Sequence, residues 1–306
     1  MDIQRTADHW NKQHFSTAFL RAEWSYHPLA LARLHRMLGY DSREEWFVKT
    51  HLPHGPVQRG VGIGVGTATS ELRLLASGAV EQFDLYEISP VALESAREEA
   101  RRLGVEDRAR FLCEDINHVA LPTETYDLVT FIASLHHMEQ LEHVLQSCYA
   151  SLAPGGVMWA AEYVGPDRFN FPDADTAFAK RLYRALDPDV KKTWEPELRF
   201  PSPADVIAVD PTESVHSSDI IKTARWIFPQ LDVIPTYGTL AFIISWCLNH
   251  DALYDTEEGR EAFQAILDID TAMLDAGQLP HYFAYLIGVK PPSTSRRRVT
   301  AWSRTR

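Results

Sequence analysis

The stretch RGVGIGVGTATS, from Arg59 to Ser70, decides the fold of this chain. Branched apolar residues alternate in it with glycines, which are Gly62, Gly64 and Gly66. The pattern predicts a short buried strand that runs into a turn and then into a helix near Thr69. A strand interior rarely tolerates so many glycines, so something is expected to approach the backbone closely. The free N–H groups of such a turn suit a nucleotide or a carboxylate, although a packing or turn role alone also explains the glycines.

Further apolar segments follow, separated by helix-like segments with short connections. They are Gln82–Ile88, Ala109–Cys113, Tyr126–Ile132 and Leu152–Trp159. This alternation predicts a parallel sheet that is covered by helices on both faces. The second strand ends in Glu87, which is 23 residues after Gly64. An acid about 20 residues beyond the glycines is where a βαβ nucleotide site places its acceptor for ribose hydroxyls.

The chain resembles the class I S-adenosylmethionine-dependent methyltransferases, in particular bacterial members that act on small molecules. The resemblance rests on the glycine stretch, on the acids after strands two and three, on the segment SLHHM at 134–138 and on the APGG turn at 153–156. It covers about residues 46–164. It implies S-adenosylmethionine as cofactor and a doubly wound, mostly parallel seven-stranded sheet with a helical N-terminal cap and lid insertions.

The resemblance also implies which residues contact the cofactor. The glycine turn would pass beneath the methionine part, Glu87 would hold the ribose hydroxyls, and Asp115 would meet the adenine amino group. The implied cofactor-binding residues are Gly62, Gly64, Gly66, Glu87, Ile88, Asp115, Ile116 and Ser134. The chain departs from the family pattern at two positions. Gly62 stands where an acid is usual, and Ala68 stands where the last glycine of the loop is usual.

The composition is typical of a soluble globular protein. The chain has 306 residues, of which 45% are hydrophobic and 24% charged, and no apolar run approaches the ~20 residues of a membrane span. Cys113, Cys148 and Cys247 lack C-x-x-C spacing, so neither disulfides nor zinc are expected. The net charge of −12 opposes a nucleic-acid substrate, because phosphate contacts need a basic face. The first residues lack the layout of a signal peptide, so a cytoplasmic location is expected.

The chain is expected to divide into five regions. They are a helical N-terminal cap (1–50), a cofactor-binding α/β core (51–164), a lid that contributes to the acceptor site (165–216), a segment that completes the sheet and carries a helical insertion at 238–280 (217–290), and a basic, disordered tail (291–306). The aromatic residues of the first region either cover the cofactor cleft or pack against the sheet. Long proline-punctuated segments such as 187–216 are usually functional in compact domains.

Candidate catalytic residues follow strands four and five. His136 and His137 come after strand four and Glu162 after strand five, so all three fall at the carboxyl edge of the sheet, where ligands bind. A histidine is suited to taking a hydroxyl proton near neutral pH. Alternatively, one histidine caps the next helix and the other packs beneath the cofactor, while Glu162 either orients the acceptor or hydrogen-bonds a turn. Three further histidines are candidates only if the lid folds over the site, and they are His216, His250 and His281.

The sequence favours a methyltransferase acting on a small molecule, with a preference for a hydroxyl acceptor. A metal-assisted reaction would need carboxylates that converge on Mg²⁺. The nearest pair, Asp173 and Asp175, stands at a helix start where acids are common, so no metal is expected. Two alternatives are a protein that keeps the fold without transferring methyl groups, which the missing strand-one acid favours, and a nicotinamide oxidoreductase. The oxidoreductase does not explain Asp115 together with the LHH segment.

Overall fold

The computed structural model describes residues 3–12, 21–52, 54–192 and 196–292. The strands within these residues form one seven-stranded sheet. The strands are β1 (Val57–Ile63), β2 (Val80–Glu87), β3 (Ala109–Cys113), β4 (Tyr126–Ile132), β5 (Leu152–Tyr163), β6 (Gln230–Thr236) and β7 (Phe283–Val289). Their order across the sheet is β3-β2-β1-β4-β5-β7-β6. Strands β1 to β5 pair in parallel, whereas β7 is antiparallel to β5 and β6. The predicted doubly wound, mostly parallel sheet is confirmed.

The helices connect the strands and extend beyond the sheet. They are α1 (Ile3–Lys12), α2 (Pro28–Leu38), α3 (Arg43–His51), α4 (Thr69–Ala76), α5 (Pro90–Leu103), α6 (Leu141–Ser151), α7 (Asp173–Ala185), α8 (Pro203–Val209), α9 (Ile220–Ile227), α10 (Thr239–Ser245), α11 (His250–Asp255) and α12 (Glu257–Asp275). Helix α5 shows why the local sequence sets these bounds. The Ser89 hydroxyl caps its N-terminus, Pro90 fits the first turn, and Gly104 ends it in the left-handed conformation.

Both faces of the sheet are buried, because successive residues of a strand point to opposite faces. In β5, Met158 and Ala160 belong to one core and Val157, Trp159 and Ala161 to the other. Helices α6 and α9 cover the first face, and α3, α4 and α5 cover the second. Burial on both faces explains why these strands are nearly continuous apolar runs in the sequence.

A third buried cluster lies beside the carboxyl end of β5. It joins residues of α2, α7, α10 and α12 to Tyr163, the last residue of β5. An ion pair between Arg33 of α2 and Asp270 of α12, 2.8 Å apart, is buried within this region. Asp270 also accepts hydrogen bonds from the backbone N–H groups of Gly238 and Leu240. The segments before β1, after β5 and after β6 are therefore held together at the edge where ligands bind in such sheets.

Several elements differ from the expectations. Strand β5 continues from the predicted Trp159 to Tyr163, because β7, distant in the chain, pairs with it up to Phe283. The proline-punctuated segment contains helix α8, in which Ser202 and Asp205 form a capping box and Pro203 begins the helix instead of breaking one. The tail beyond residue 292, with the cap residues 13–20, lies outside the described residues.

Candidate active site

The glycine turn follows β1 at the carboxyl edge of the sheet. Gly64 and Gly66 have φ of +60° and +53°, a conformation that side chains rarely adopt. Ala68 precedes α4 with φ of 53°, so an alanine adopts the left-handed conformation at the position where the family usually has glycine. Its methyl group is fully buried. The departure at Ala68 therefore leaves the turn geometry unchanged, at a cost of roughly 1–2 kcal/mol for a left-handed alanine.

The other departure, the acid missing from β1, is explained by a residue of α4. A Cβ atom on Gly62 would lie 2.9 Å from Cγ of Glu71 and 2.6 Å from Cγ1 of Val65. Glu71 is buried and accepts a 2.7 Å hydrogen bond from the hydroxyl of Thr130 on β4. A carboxyl group thus lies beside position 62, but it comes from the helix. Sequence reasoning missed it, because an acid in the first turn of a helix is ordinary.

Glu87 lies at the end of β2 with its carboxylate directed to the glycine turn. Its Oε2 accepts a 2.8 Å hydrogen bond from the N–H of Gly66, and its Oε1 accepts one of 2.8 Å from the N–H of Ser89. Burial raises the pKa of Glu87, although these backbone donors act in the opposite direction. Each oxygen retains a lone pair. Glu87 therefore fixes the turn and still has acceptor capacity for a ligand hydroxyl.

Asp115 follows β3 and is less buried than Glu87. Its Oδ1 accepts hydrogen bonds from the backbone N–H and the side-chain amide of Asn117, at 3.0 and 2.9 Å. Its Oδ2 lies 3.6 Å from Nε2 of the exposed His118. One oxygen thus shapes the local turn and the other faces outward. Ile116 is buried and Ile88 is partly buried, and both follow the ends of their strands as the sequence predicts.

The turn after β4 is organised around Glu162. This buried carboxylate accepts hydrogen bonds from the N–H groups of Ser134 and Leu135 at 2.9 and 2.7 Å, and it lies 2.7 Å from Nδ1 of His136. The Ser134 hydroxyl donates to the carbonyl of Ile63, at 2.6 Å, and so ties this turn to the end of β1. Glu162 therefore positions His136 and the turn, while Ser134 lies beneath the glycine turn.

His137 is held by a second carboxylate, from the segment after α8. The Thr212 hydroxyl donates to Oδ1 of Asp210 at 2.9 Å and lies 3.2 Å from Nδ1 of His137. Because that hydroxyl proton is directed to Asp210, its oxygen is the acceptor and Nδ1 of His137 carries the hydrogen. Oδ2 of Asp210 lies 3.5 Å from the same nitrogen. The network therefore leaves Nε2 of His137 with a free lone pair.

Glu213 completes a group that we call the His–Glu cluster, made of His136, His137 and Glu213. Its carboxylate oxygens lie 3.7 Å from Nε2 of His136 and 3.9 Å from Nε2 of His137. The backbone of the same segment contacts the turn after β4, since Val215 N–H donates to the carbonyl of His136 at 3.1 Å. The side chain of Glu213 is 23% exposed, more than that of either histidine. The cluster is thus nearly closed, with its carboxylate as the more accessible member.

The two imidazoles differ in their affinity for a proton. Burial acts to lower the pKa of His136, but the charge and hydrogen bond of Glu162, with Glu213 and Asp210, raise it above its usual value. Burial and the neighbouring His136 lower the pKa of His137, although Glu213 and Asp210 oppose this. His137 is therefore the imidazole that favours the neutral form.

Helix α1 lies across the same edge. The ring of Trp10 makes an edge contact with His137, with centroids 5.3 Å apart. Asn11 Oδ1 accepts a 2.8 Å hydrogen bond from the Ser89 hydroxyl, next to Glu87. Arg5 donates to the carbonyl of Ala208 at the end of α8. Helix α1 thus reaches from the turn after β2 to the His–Glu cluster.

Sequence reasoning missed the residues contributed by the segment after α8. Asp210, Thr212 and Glu213 lie in a proline-punctuated stretch without helical or strand periodicity, so no local pattern indicated that they meet the turn after strand four.

Other candidate residues lie outside the cluster. The carboxyl of Asp175 accepts a hydrogen bond from the hydroxyl of Tyr282 and does not join the cluster. The three remaining candidate histidines also lie outside the cluster: His250 contacts the carbonyl of Ser245, His281 contacts that of Thr236, and His216 precedes α9.

Comparison with known proteins agrees with this geometry. The family described as "Methyltransferase domain" matches residues 60–160, which include the glycine turn, Glu87 and the turn after β4. The methyltransferase GfsG of Streptomyces halstedii is 26% identical over 197 residues, which cover 64% of this chain and 68% of that protein. A demethylmenaquinone methyltransferase of Bacteroides fragilis (strain YCH46) is 25% identical over 124 residues, 40% of this chain and 51% of that protein. The chain therefore spans about half the length of the second relative.

Residues 60–160 form a class I methyltransferase domain. A solved geranyl diphosphate methyltransferase shares the fold, with a TM-score of 0.53, 14% identity, and coverage of 95% of this chain and 99% of that chain. S-adenosylmethionine is the cofactor of this methyltransferase domain. The residues at the carboxyl edge of the sheet fit this cofactor. The carboxylate of Glu87 has free acceptor capacity, and it lies beside a glycine turn in the left-handed conformation. Within the described residues, no helix is long and apolar enough to cross a membrane.

Proposed function

We propose that this methyltransferase transfers the methyl group of S-adenosylmethionine to a hydroxyl group of a small molecule. The observation that carries the proposal is the His–Glu cluster at the carboxyl edge of the sheet, where Nε2 of both imidazoles and the carboxylate of Glu213 face one another. A hydroxyl group must lose its proton when it is methylated. Imidazole and carboxylate are the side chains that most often receive such a proton or stabilise the charge that it leaves.

The surroundings of the cluster favour an acceptor with an aromatic or apolar body. The ring of Tyr163 contacts those of Phe169, Phe242 and Phe283, with centroids 5.3 to 5.6 Å apart. Rings of this kind give binding sites large apolar surfaces. The net charge of −12 opposes binding of a nucleic acid. We therefore favour a small organic acceptor over RNA or DNA.

The chain's own residues supply binding, orientation and exclusion of water. S-adenosylmethionine supplies the transferable methyl group when it is bound. We assign the hydroxyls of its ribose to Glu87 and its adenine to the neighbourhood of Asp115, Ile88 and Ile116. Glu162 orients His136, and Trp10 covers His137 from helix α1. This arrangement would hold the acceptor oxygen in a closed site, as methyl transfer requires.

Turnover with chosen acceptors tests the proposed function. The purified protein is incubated with S-adenosylmethionine and, in separate reactions, with phenols, hydroquinones, hydroxylated polyketides, their amine analogues and tRNA. S-adenosylhomocysteine formation and the mass and fragmentation of the product are measured. We expect methylation on oxygen. Methylation of carbon, nitrogen or tRNA would contradict the acceptor assignment, and tight cofactor binding without turnover on any acceptor would favour a protein that keeps the fold without transferring methyl groups.

We predict that ligand binding protects the segment around α8 from proteolysis. Only Val206 of this helix is buried, and residues 199–202 before it form neither helix nor strand. The segment leads directly to Asp210 and Glu213, so a ligand at the cluster should order it. Limited proteolysis of the free protein should cut within 196–209, and S-adenosylhomocysteine with an acceptor should slow the cut. Cleavage within α12, which is packed by buried residues, serves as the control and should stay slow throughout. Equal rates with and without ligands would show that this segment is a fixed scaffold.

A further inference from the structure

The His–Glu cluster has the chemistry of a metal site. Two imidazoles and one carboxylate, from His136, His137 and Glu213, place their ligand atoms within 4.8 Å of one another. Two histidines with one glutamate, and an open position, form a known type of catalytic zinc site. From this geometry we propose that the cluster binds a divalent transition-metal cation, with Zn²⁺ as the best-suited ion. The sequence-based expectation of no metal considered only carboxylate pairs and did not weigh this set.

The hydrogen bonds around both imidazoles are those of metal ligands. Nδ1 of His136 lies 2.7 Å from Glu162, and Nδ1 of His137 faces Thr212 and Asp210 at 3.2 and 3.5 Å. Histidines that bind metals usually donate their other ring N–H to a carboxylate or another oxygen, which fixes the ring orientation. Here both rings are fixed in this way from two different segments. As a result both Nε2 atoms are directed to the carboxylate of Glu213.

The distances inside the cluster leave room for an ion. Nε2 of each imidazole lies 3.7 or 3.9 Å from a Glu213 oxygen, too far for a hydrogen bond. Metal–ligand bonds of about 2.0–2.2 Å in a tetrahedral site separate ligand atoms by roughly 3.3 Å. To hold one ion, the two histidine–glutamate distances would have to shorten by about 0.5 Å, and any ligand pair at the 4.8 Å limit by about 1.5 Å. No other described group offers a ligand set of this kind.

The charge around the cluster also calls for a cation. Three carboxylates contact the two imidazoles, those of Glu162, Asp210 and Glu213. The first two side chains are at most 3% exposed. Arg168, which donates to the carbonyl of Glu213, supplies one positive charge. The carboxylates outnumber this charge, and a bound cation would add to the positive side, because buried charges are usually paired or bind metals.

The mixed ligand set selects the kind of ion. Imidazole nitrogen suits zinc, iron, nickel and copper, whereas magnesium and calcium prefer oxygen ligands throughout. Three protein ligands would leave one position of a tetrahedral cation open. Its role rests on the proposed function: an acceptor hydroxyl bound to it would release its proton to water more readily, because the cation stabilises the oxyanion that remains.

Calorimetry with metal-free, tag-free protein tests the proposal. The protein is treated with a chelator, dialysed, and titrated with ZnCl₂, and with MgCl₂ in a parallel experiment. We expect one Zn²⁺ per chain for the wild type, no saturable binding for Glu213→Gln, and about 10–100-fold weaker binding for Asp210→Asn, whose carboxylate contacts His137 without binding the ion. The exposed His118→Ala and Glu142→Gln variants are controls and should bind like the wild type. A Co²⁺ titration should give the absorption of a four-coordinate site in the wild type and in the two control variants, but not in Glu213→Gln.

The outcomes separate the metal site from the methyl transfer. No saturable Zn²⁺ binding by the wild type, or equal binding by Glu213→Gln, would overturn the site whatever the turnover. Tighter binding of Mg²⁺ than of Zn²⁺ would overturn the assignment of the ion class. Stoichiometric Zn²⁺ binding that Glu213→Gln abolishes supports the site even if no hydroxyl compound is methylated, in which case only the proposed function fails.

Discussion

His137→Ala is expected to lower kcat by about 10²–10⁴-fold, while the Kd for S-adenosylmethionine changes little. His137 presents Nε2 to the centre of the His–Glu cluster, and its other nitrogen is fixed by Thr212. Its removal takes away either the group that receives the acceptor's proton or one ligand of the cation. The cofactor contacts that we assign to Glu87 and Asp115 lie after other strands and should be unaffected. Steady-state kinetics with a methylated acceptor, and calorimetry with S-adenosylhomocysteine, measure the two effects separately.

The neighbouring His136 should respond differently. Its imidazole is bonded to Glu162, whose other oxygen holds the N–H groups of Ser134 and Leu135. His136→Ala is therefore expected to lower the melting temperature as well as kcat, because a buried carboxylate loses a partner. His143→Ala, on the exposed face of α6, is the matched control and should alter neither quantity. Near-normal kcat in both His136→Ala and His137→Ala would remove histidine from the mechanism.

Glu87→Ala is expected to weaken S-adenosylmethionine binding by about 1.5–3 kcal/mol, the range for a lost hydrogen bond to a charged group. This corresponds to roughly a 10–150-fold higher Kd. The substitution removes the acceptor proposed for the ribose hydroxyls and also the partner of the Gly66 N–H. Both losses act in the same direction, because the glycine turn is the other part of the proposed cofactor site.

Calorimetry with a control on the same strand checks this prediction. Glu81, near the opposite end of β2, is exposed. Within the described residues, its side chain accepts a hydrogen bond from the side-chain amide of Gln58. Glu81→Ala should therefore bind the cofactor like the wild type. Glu87→Gln retains one acceptor oxygen and should lie between the wild type and Glu87→Ala. An unchanged Kd in a folded Glu87→Ala variant would show that the ribose is held elsewhere.

The missing strand-one acid illustrates how a family pattern can change without loss of the carboxyl group. The side chain of Glu71 fills the space that a residue larger than glycine would need at position 62. Gly62 and Glu71 are therefore complementary in space, because the side chain of Glu71 on the following helix lies beside the strand position. For this reason the absence of an acid on β1 is weak evidence for the alternative that the protein keeps the fold without transferring methyl groups.

The sequence by itself determined the sheet and the edge at which ligands bind. Apolar runs, glycine turns and helix caps are local signals, because they depend on the backbone conformation and burial of neighbouring residues. Together with the family resemblance, those signals predicted a doubly wound, mostly parallel seven-stranded sheet. They also placed Glu87, Asp115, His136, His137 and Glu162 after their strands. Asp115, His136 and His137 follow their strands and Glu87 ends β2, whereas Glu162 lies inside β5, which is longer than predicted.

Only the tertiary structure decided what those residues contact. Glu162 proved to be the partner of His136, and Glu213 reached the two histidines from a segment more than 70 residues along the chain. No local periodicity encodes such a meeting, since it depends on how α8 and the segment after it pack against the turn after β4. The local sequence around a carboxylate in an irregular loop does not show whether that carboxylate is part of a buried site or is exposed to solvent. Packing brought Glu213 to two fixed imidazoles, and so the cluster exists only in the folded chain.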